Sequence, residues 1–146
     1  VFRGLVAETD AIKIITDARS KKVQELRDNP ACEISWYFTN TREQFRIRAR
    51  AEIYSQPTSL ERSESWNKLS EQAKTQFFWP APGKHIESSA NETKPKPVMH
   101  QEIPETFVLL VLQPTSVDHL RLKGSPQTRI LSSIDSGDWK SLEVHP

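Results

Sequence analysis

Thr41-Arg42-Glu43-Gln44-Phe45-Arg46-Ile47-Arg48-Ala49-Arg50-Ala51-Glu52 alternates strictly from Gln44 onward between polar and apolar side chains. Phe45, Ile47, Ala49 and Ala51 fall on one face and Gln44, Arg46, Arg48 and Arg50 on the other. This period of two belongs to a half-buried strand and not to a helix. Arginines at every second position carry no acidic residue between them on their own face. They repel one another unless an anion or a partner chain lies opposite; the alternative is a solvated outer sheet face. Gln44 offers an amide that can bond a heterocycle carbonyl or ring nitrogen.

Outward from this strand, β-branched and aromatic runs separated by turn residues predict further strands at 11–16, 31–38, 106–112, 117–122, 128–134 and 139–144, with the end of another at 1–4. Their number and spacing predict a barrel or closed sheet. The run 107–112 is apolar on both faces and reads as a central, doubly covered strand. Val23 and Leu26 line one face of a short helix between Lys21 and Asn29, which Asn29-Pro30 ends. A second helical region runs from 59 to about 78, with Leu60, Trp66, Leu69, Ala73 and Phe77 at near-helical spacing, and Pro80, Pro82 and Gly83 stop it. From 84 to 104 the composition turns to Ser, Asn, Lys, Glu and Pro, which predicts a mobile loop within a single domain spanning 1–146.

The strand at 11–16 runs into Ile14-Ile15-Thr16-Asp17-Ala18-Arg19-Ser20-Lys21-Lys22. Thr16 and Ser20 hydroxyls, two adjacent ammonium groups and the N–H groups of a helix start can together surround a phosphate. An N-cap serine followed by surface lysines is the alternative reading. A positive site has to be local, because 20 Lys and Arg against 19 Asp and Glu leave a net charge of only +1. That balance argues against nucleic acid or an anionic membrane as partner. No apolar run is long enough to span a bilayer, and no signal peptide is visible. The lone Cys32 excludes a disulfide framework, so the expected compartment is reducing, the cytoplasm or an equivalent. His85, His100, His119 and His145 stand apart without ligand-spaced partners, so no metal site is expected. Four glycines form no phosphate-binding Gly-rich loop, and no serine-hydrolase elbow occurs. The chain starts at Val1 in what reads as the end of a strand, and the physiological protein is expected to extend upstream.

With these features in place, the chain resembles the pyridoxamine 5'-phosphate oxidase-like family of FMN-binding split barrels. The resemblance rests on Phe2-Arg3-Gly4, Trp36-Tyr37-Phe38, Thr41 to Arg46, and Gln76-Phe77-Phe78-Trp79-Pro80-Ala81-Pro82-Gly83, supported by Asp118-His119-Leu120, Pro126-Gln127, Arg129 and Trp139. It covers nearly the whole chain and implies a mainly β fold, an FMN-binding split β-barrel with a few peripheral helices. It also implies a homodimer with FMN at the subunit interface. By the same resemblance, Ile15, Thr16, Lys21 and Lys22 hold FMN, the basic pair serving its phosphate, while Ser20 caps the next helix. Arg3 stands where the family has a lysine near flavin and substrate phosphate. An earlier arginine of that strand would lie upstream of Val1. Gln44 matches a flavin-contacting glutamine and Arg129 a late arginine at the isoalloxazine end, with Leu120 replacing a tryptophan before it. Gln76 and Trp79 are neighbours of the cofactor by a looser match, and Arg46, Arg48 and Arg50 are expected near the subunit interface.

The resemblance implies hydride transfer to FMN from pyridoxine or pyridoxamine phosphate, with reoxidation by oxygen; no residue is assigned a catalytic role. Family oxidases carry an Arg-x-His element before the late arginine, and Ser125-Pro126-Gln127 supplies neither group. An FMN-binding flavoprotein or flavin reductase-like module without that oxidase activity is therefore the alternative. A non-enzymatic β-barrel for another anionic ligand is a third reading.

Overall fold

The computed structural model describes residues 2–85 and 102–146. The strands are β1 (Phe2–Leu5), β2 (Ile12–Asp17), β3 (Ala31–Phe38), β4 (Glu43–Tyr54), β5 (Phe107–Arg121), β6 (Thr128–Asp135) and β7 (Asp138–Val144). Helix α1 (Lys21–Asp28) follows β2, and α2 (Leu60–Asn67) and α3 (Glu71–Thr75) follow β4, ending in a 3-10 turn over Gln76–Phe78. The predicted loop at 84–104 falls largely outside the described residues.

All strand pairs are antiparallel, in the order β1-β2-β5-β4-β3, with β6 joined to β5 and β7 to β6. The two strands expected at 106–112 and 117–122 are one. β5 pairs with β4 along most of its length, while its other edge takes β2 at Phe107–Leu112 and β6 at Ser116–Arg121. Pro114 lies where β5 has only β4 beside it, and Thr115 is an extra residue there, its hydroxyl donating to the Arg48 carbonyl at 3.2 Å. A strand tolerates a missing N–H at such a bulge. The fork at 113–115 divides the sheet, and the closed sheet expected from strand count is not formed: among the described residues β1, β3 and β7 each keep an unpaired edge. Trp139 Nε1 donates to Asp10 Oδ2 at 2.8 Å, tying β7 to the β1–β2 turn. Ser136 and Gly137, with φ of 53° and 95°, supply the left-handed pair that a two-residue hairpin between β6 and β7 requires.

Both faces of the 107–112 segment are buried, as its composition predicts. One face packs with Ala11, Ile15, Trp66, Leu69 and Phe77, where the Trp66, Phe77 and Phe107 rings meet edge to face at 4.9–5.8 Å. The other packs with Ile12, Ala49 and Ala51 under Leu26 of α1. The helical region 59–78 is broken at Lys68–Ser70, because Ser70 accepts from the Ala73 N–H and starts a second helix. Arg62 of α2 is buried, donating from Nε to the Phe107 carbonyl at 3.0 Å and from Nη2 to that of Pro104 at 2.7 Å. It joins α2 to the strand that organises the sheet.

Candidate functional site

β2 ends at Asp17 and α1 begins four residues later, with Ser20 N–H donating to the Asp17 carbonyl at 3.0 Å. Ala18 N–H donates to the Thr106 carbonyl at 2.8 Å, anchoring the turn to the start of β5. Thr16 is buried at 8 % exposure, its Oγ1 lying 3.4 Å from Ser20 Oγ. Ser20 occupies the N-cap position of α1 with extended backbone, but its side chain makes no cap bond. The expected serine cap is therefore absent: its hydroxyl faces Thr16 instead. The first turn of α1 also lacks an acidic residue and starts with the exposed lysines Lys21 and Lys22. An uncapped helix start with two cations at the positive end of its dipole is unfavourable for the helix alone. An anion resolves all three features.

Beside this turn is a cavity of about 280 Å³. Arg3, Ile15 and Thr16 line one side, and Gln76, Trp79 and Pro80 the other. Two side chains hold the second wall to the turn and to β5. Thr106 Oγ1 donates to the Phe77 carbonyl at 2.7 Å, and Arg19 Nη2 donates to the Trp79 carbonyl at 3.0 Å. Arg19 also grips Asp17, through Nε at 2.9 Å and Nη2 at 2.6 Å. Asp17 and Arg19 fall inside the stretch that reads as an anion turn, but the sequence assigns neither a role there. The Asp-x-Arg spacing was the available signal, but it gives no hint of Trp79.

Gln44 and Arg129 lie elsewhere. They flank Leu120 across β4, β5 and β6, whereas Thr16 lies opposite Val108, twelve residues earlier on β5. At about 3.3 Å per residue the two sets are separated by up to ~40 Å of strand. Arg129 forks onto Asp118 with Nε at 2.9 Å and Nη2 at 2.7 Å. These bonds hold the Asp118 carboxyl below its ordinary range and raise Arg129 above its own. They border a groove of about 530 Å³ that also takes in Glu33, Arg46, Arg48 and Lys140.

The arginine ladder of β4 is not short of acidic neighbours. Arg46 donates twice to Glu33 Oε1, at 2.9 and 2.8 Å, and Arg48 Nε approaches Oε2 at 3.5 Å. β3 brings Glu33 opposite Arg48, a cross-strand partner thirteen to fifteen residues away that the local pattern could not reveal. Arg46 lowers the Glu33 carboxyl chiefly through its hydrogen bonds. On the opposite face His119 stacks on Phe45 with centroids 4.1 Å apart and meets Glu43 Oε1 at 3.1 Å. Among the described residues no three His, Cys, Asp or Glu side chains converge as a metal site would require.

Comparison with known proteins bears on this geometry. Residues 1–55, which hold β1 to β4 and the Thr16–Lys22 turn, match the family model described as pyridoxamine 5'-phosphate oxidase, FMN-binding domain. The chain is 36 % identical over 157 aligned residues to pyridoxine/pyridoxamine 5'-phosphate oxidase 2 of Arabidopsis thaliana, covering all of this chain and 78 % of that protein. A pyridoxamine 5'-phosphate oxidase-related, FMN-binding protein from Nostoc punctiforme superposes with a TM-score of 0.84 at 39 % identity, over 100 % of this chain and 78 % of that one. PhzG from Burkholderia lata, solved with tetrahydrophenazine-1-carboxylic acid, shares the fold at a TM-score of 0.79 and 18 % identity, over 99 % and 72 % of the two chains.

Proposed function

The chain belongs to the pyridoxamine 5'-phosphate oxidase FMN-binding family, and from that premise we propose that it is an FMN-dependent oxidase of pyridoxine or pyridoxamine 5'-phosphate acting as a homodimer. The observation that carries the reading is the uncapped start of α1, where Lys21 and Lys22 directly follow the Thr16–Ser20 hydroxyl pair and Thr16 lines the cavity that ends at Arg3. This donor set suits a phosphate monoester: hydroxyls and N–H groups give direction, and ammonium groups give charge. FMN held by Lys21, Lys22, Thr16 and Ser20 would supply the hydride acceptor for oxidation of the substrate, with oxygen as the final electron acceptor.

The protein's part is to bind and orient. Lys21 and Lys22 neutralise the cofactor phosphate, with Thr16 and Ser20 as oxygen partners. Arg3, exposed at the mouth of the cavity, offers a guanidinium to the anionic group of the substrate. The Trp79 wall shields the opposite side from water and limits how a planar ring can lie. The separation of Thr16 from Gln44 and Arg129 along β5 supports a dimer, since a second copy can bring its Gln44–Arg129 row to the turn of the first. Asp118 fixes the direction of Arg129 through Nε and Nη2 and leaves Nη1 for a ligand.

A second reading keeps the cofactor and drops the oxidase activity. Ser125-Pro126-Gln127 puts no guanidinium or imidazole just before Arg129, so ring orientation loses two polar contacts. Oxygen uptake and peroxide release with pyridoxine phosphate and pyridoxamine phosphate separate the two. Turnover above a free-FMN blank supports the oxidase, and a flavin-loaded protein that stays at the blank supports the flavin module.

A further inference from the structure

Asp17 and Arg19 sit inside the turn that carries Thr16, Ser20 and Lys21, and the proposed function gives them no task. A bare carboxylate at Asp17 beside a phosphate would repel it. Arg19 covers that carboxylate from three sides. Its backbone N–H reaches Asp17 Oδ1 at 2.8 Å, Nε the same oxygen at 2.9 Å, and Nη2 reaches Oδ2 at 2.6 Å. The pair is sheltered, with the Asp17 side chain 17 % exposed. An ordinary surface pair of this kind contributes little and ends there. This one goes further, because the same Nη2 crosses to the Trp79 carbonyl, sixty residues away in sequence. Trp79 is half exposed, lines the cavity opposite Arg3 and Thr16, and precedes Pro80, whose ring restricts the backbone on that side.

We propose that Arg19 is a positioning residue that joins the cofactor turn to the substrate wall: it masks Asp17 so that the turn accepts a phosphate, and it holds the Trp79 carbonyl so that the Trp79 side of the cavity keeps a fixed distance from that turn. The inference rests on the FMN reading above and deepens it. A substrate ring pressed between wall and flavin is then oriented by a wall registered directly to the flavin's phosphate anchor. Loss of the link loosens orientation, and misorientation lowers turnover more than affinity.

The test compares the wild-type chain with Arg19→Ala and with Asp17→Asn/Arg19→Ala, after thermal melts establish that all three fold. Three quantities are read: the Kd for FMN, kcat and KM with pyridoxine phosphate, and acrylamide quenching of Trp79 emission, isolated by subtracting the Trp79→Phe counterpart of each protein. Arg19→Ala is expected to weaken FMN binding about tenfold by uncovering the carboxylate. The double variant should return to within about twofold of wild type, because the charge is gone. Neither variant should recover wall position: acrylamide access to Trp79 rises in both, and kcat stays about tenfold down with a smaller change in KM. Unchanged FMN affinity in Arg19→Ala would overturn the masking role, and unchanged acrylamide access would overturn the positioning role. A wild-type chain that binds FMN without turnover removes only the oxidase reading, since the Kd and quenching measurements still decide the part played by Arg19. A wild-type chain that binds no FMN removes the cofactor site and the masking role together, while quenching still decides the wall.

Discussion

Replacing Lys21 and Lys22 together by alanine should move stability and cofactor affinity in opposite directions. Both side chains are exposed, and among the described residues neither forms an ion pair, so truncation removes little packing and no salt bridge. Both sit in the first turn of α1, where positive charge opposes the helix dipole and Ser20 provides no side-chain cap. Relief of that conflict is worth about 0.3–1 kcal/mol for the pair at low salt, and alanine propensity adds slightly. A chain of this size then melts about 1–3 °C higher without FMN. FMN binding loses two charge-assisted contacts at an exposed site, about 1 kcal/mol each, which amounts to a roughly thirtyfold rise in Kd. The assays are circular-dichroism melts without flavin and fluorescence titrations with FMN at low and high salt. The wild-type affinity should fall with salt and that of the variant should barely change. A variant that melts lower and binds FMN as tightly as wild type would refute the argument, because the lysines would then be serving the fold.

Three further outcomes follow from the geometry. Arg62→Met removes the buried bond to the Phe107 carbonyl and the bond to Pro104 while keeping the aliphatic stem, so stability should fall by about 2 kcal/mol and Tm by about 4–8 °C; a melt within 1 °C of wild type would contradict the role given to Arg62. The Asp118 carboxyl, held low by Arg129, adds stability that is complete above its ordinary pKa of about 4 and is lost as pH falls through the depressed value, so Tm should decline in acid and decline less steeply in Asp118→Asn; identical acid limbs would show that the pair does not matter. Sedimentation of the flavin-loaded chain should give twice the 16.8 kDa monomer mass, and a monomer that still binds FMN fully would dissociate the Gln44–Arg129 row from the cofactor site.

Where local pattern sets local structure, the sequence was sufficient. The alternation over 41–52 sorts the two faces of β4 correctly, and 31–38 matches β3 to the residue. Two strands are expected at 106–112 and 117–122, and only the fork between β2 and β6 shows why β5 passes through Pro114 as one. The helix over 59–78 was continuous in its apolar spacing, yet Ser70 competed for the Ala73 N–H and divided it. At the site, Thr16, Ser20 and Lys21 are consecutive in space because they are nearly consecutive in sequence. Glu33 with Arg46, Asp118 with Arg129 and Arg19 with Trp79 depend on register or on long loops, which period counting does not contain.

On the proposed reading, the turn from Thr16 to Lys22 grips the phosphate of a flavin mononucleotide. Parallel titrations of the wild-type chain with FMN and with riboflavin, which carries the same ring system without the phosphate, test it most directly. FMN should bind at least thirtyfold more tightly, and added salt should narrow the gap. Equal affinity for the two, or an FMN advantage indifferent to salt, would contradict it.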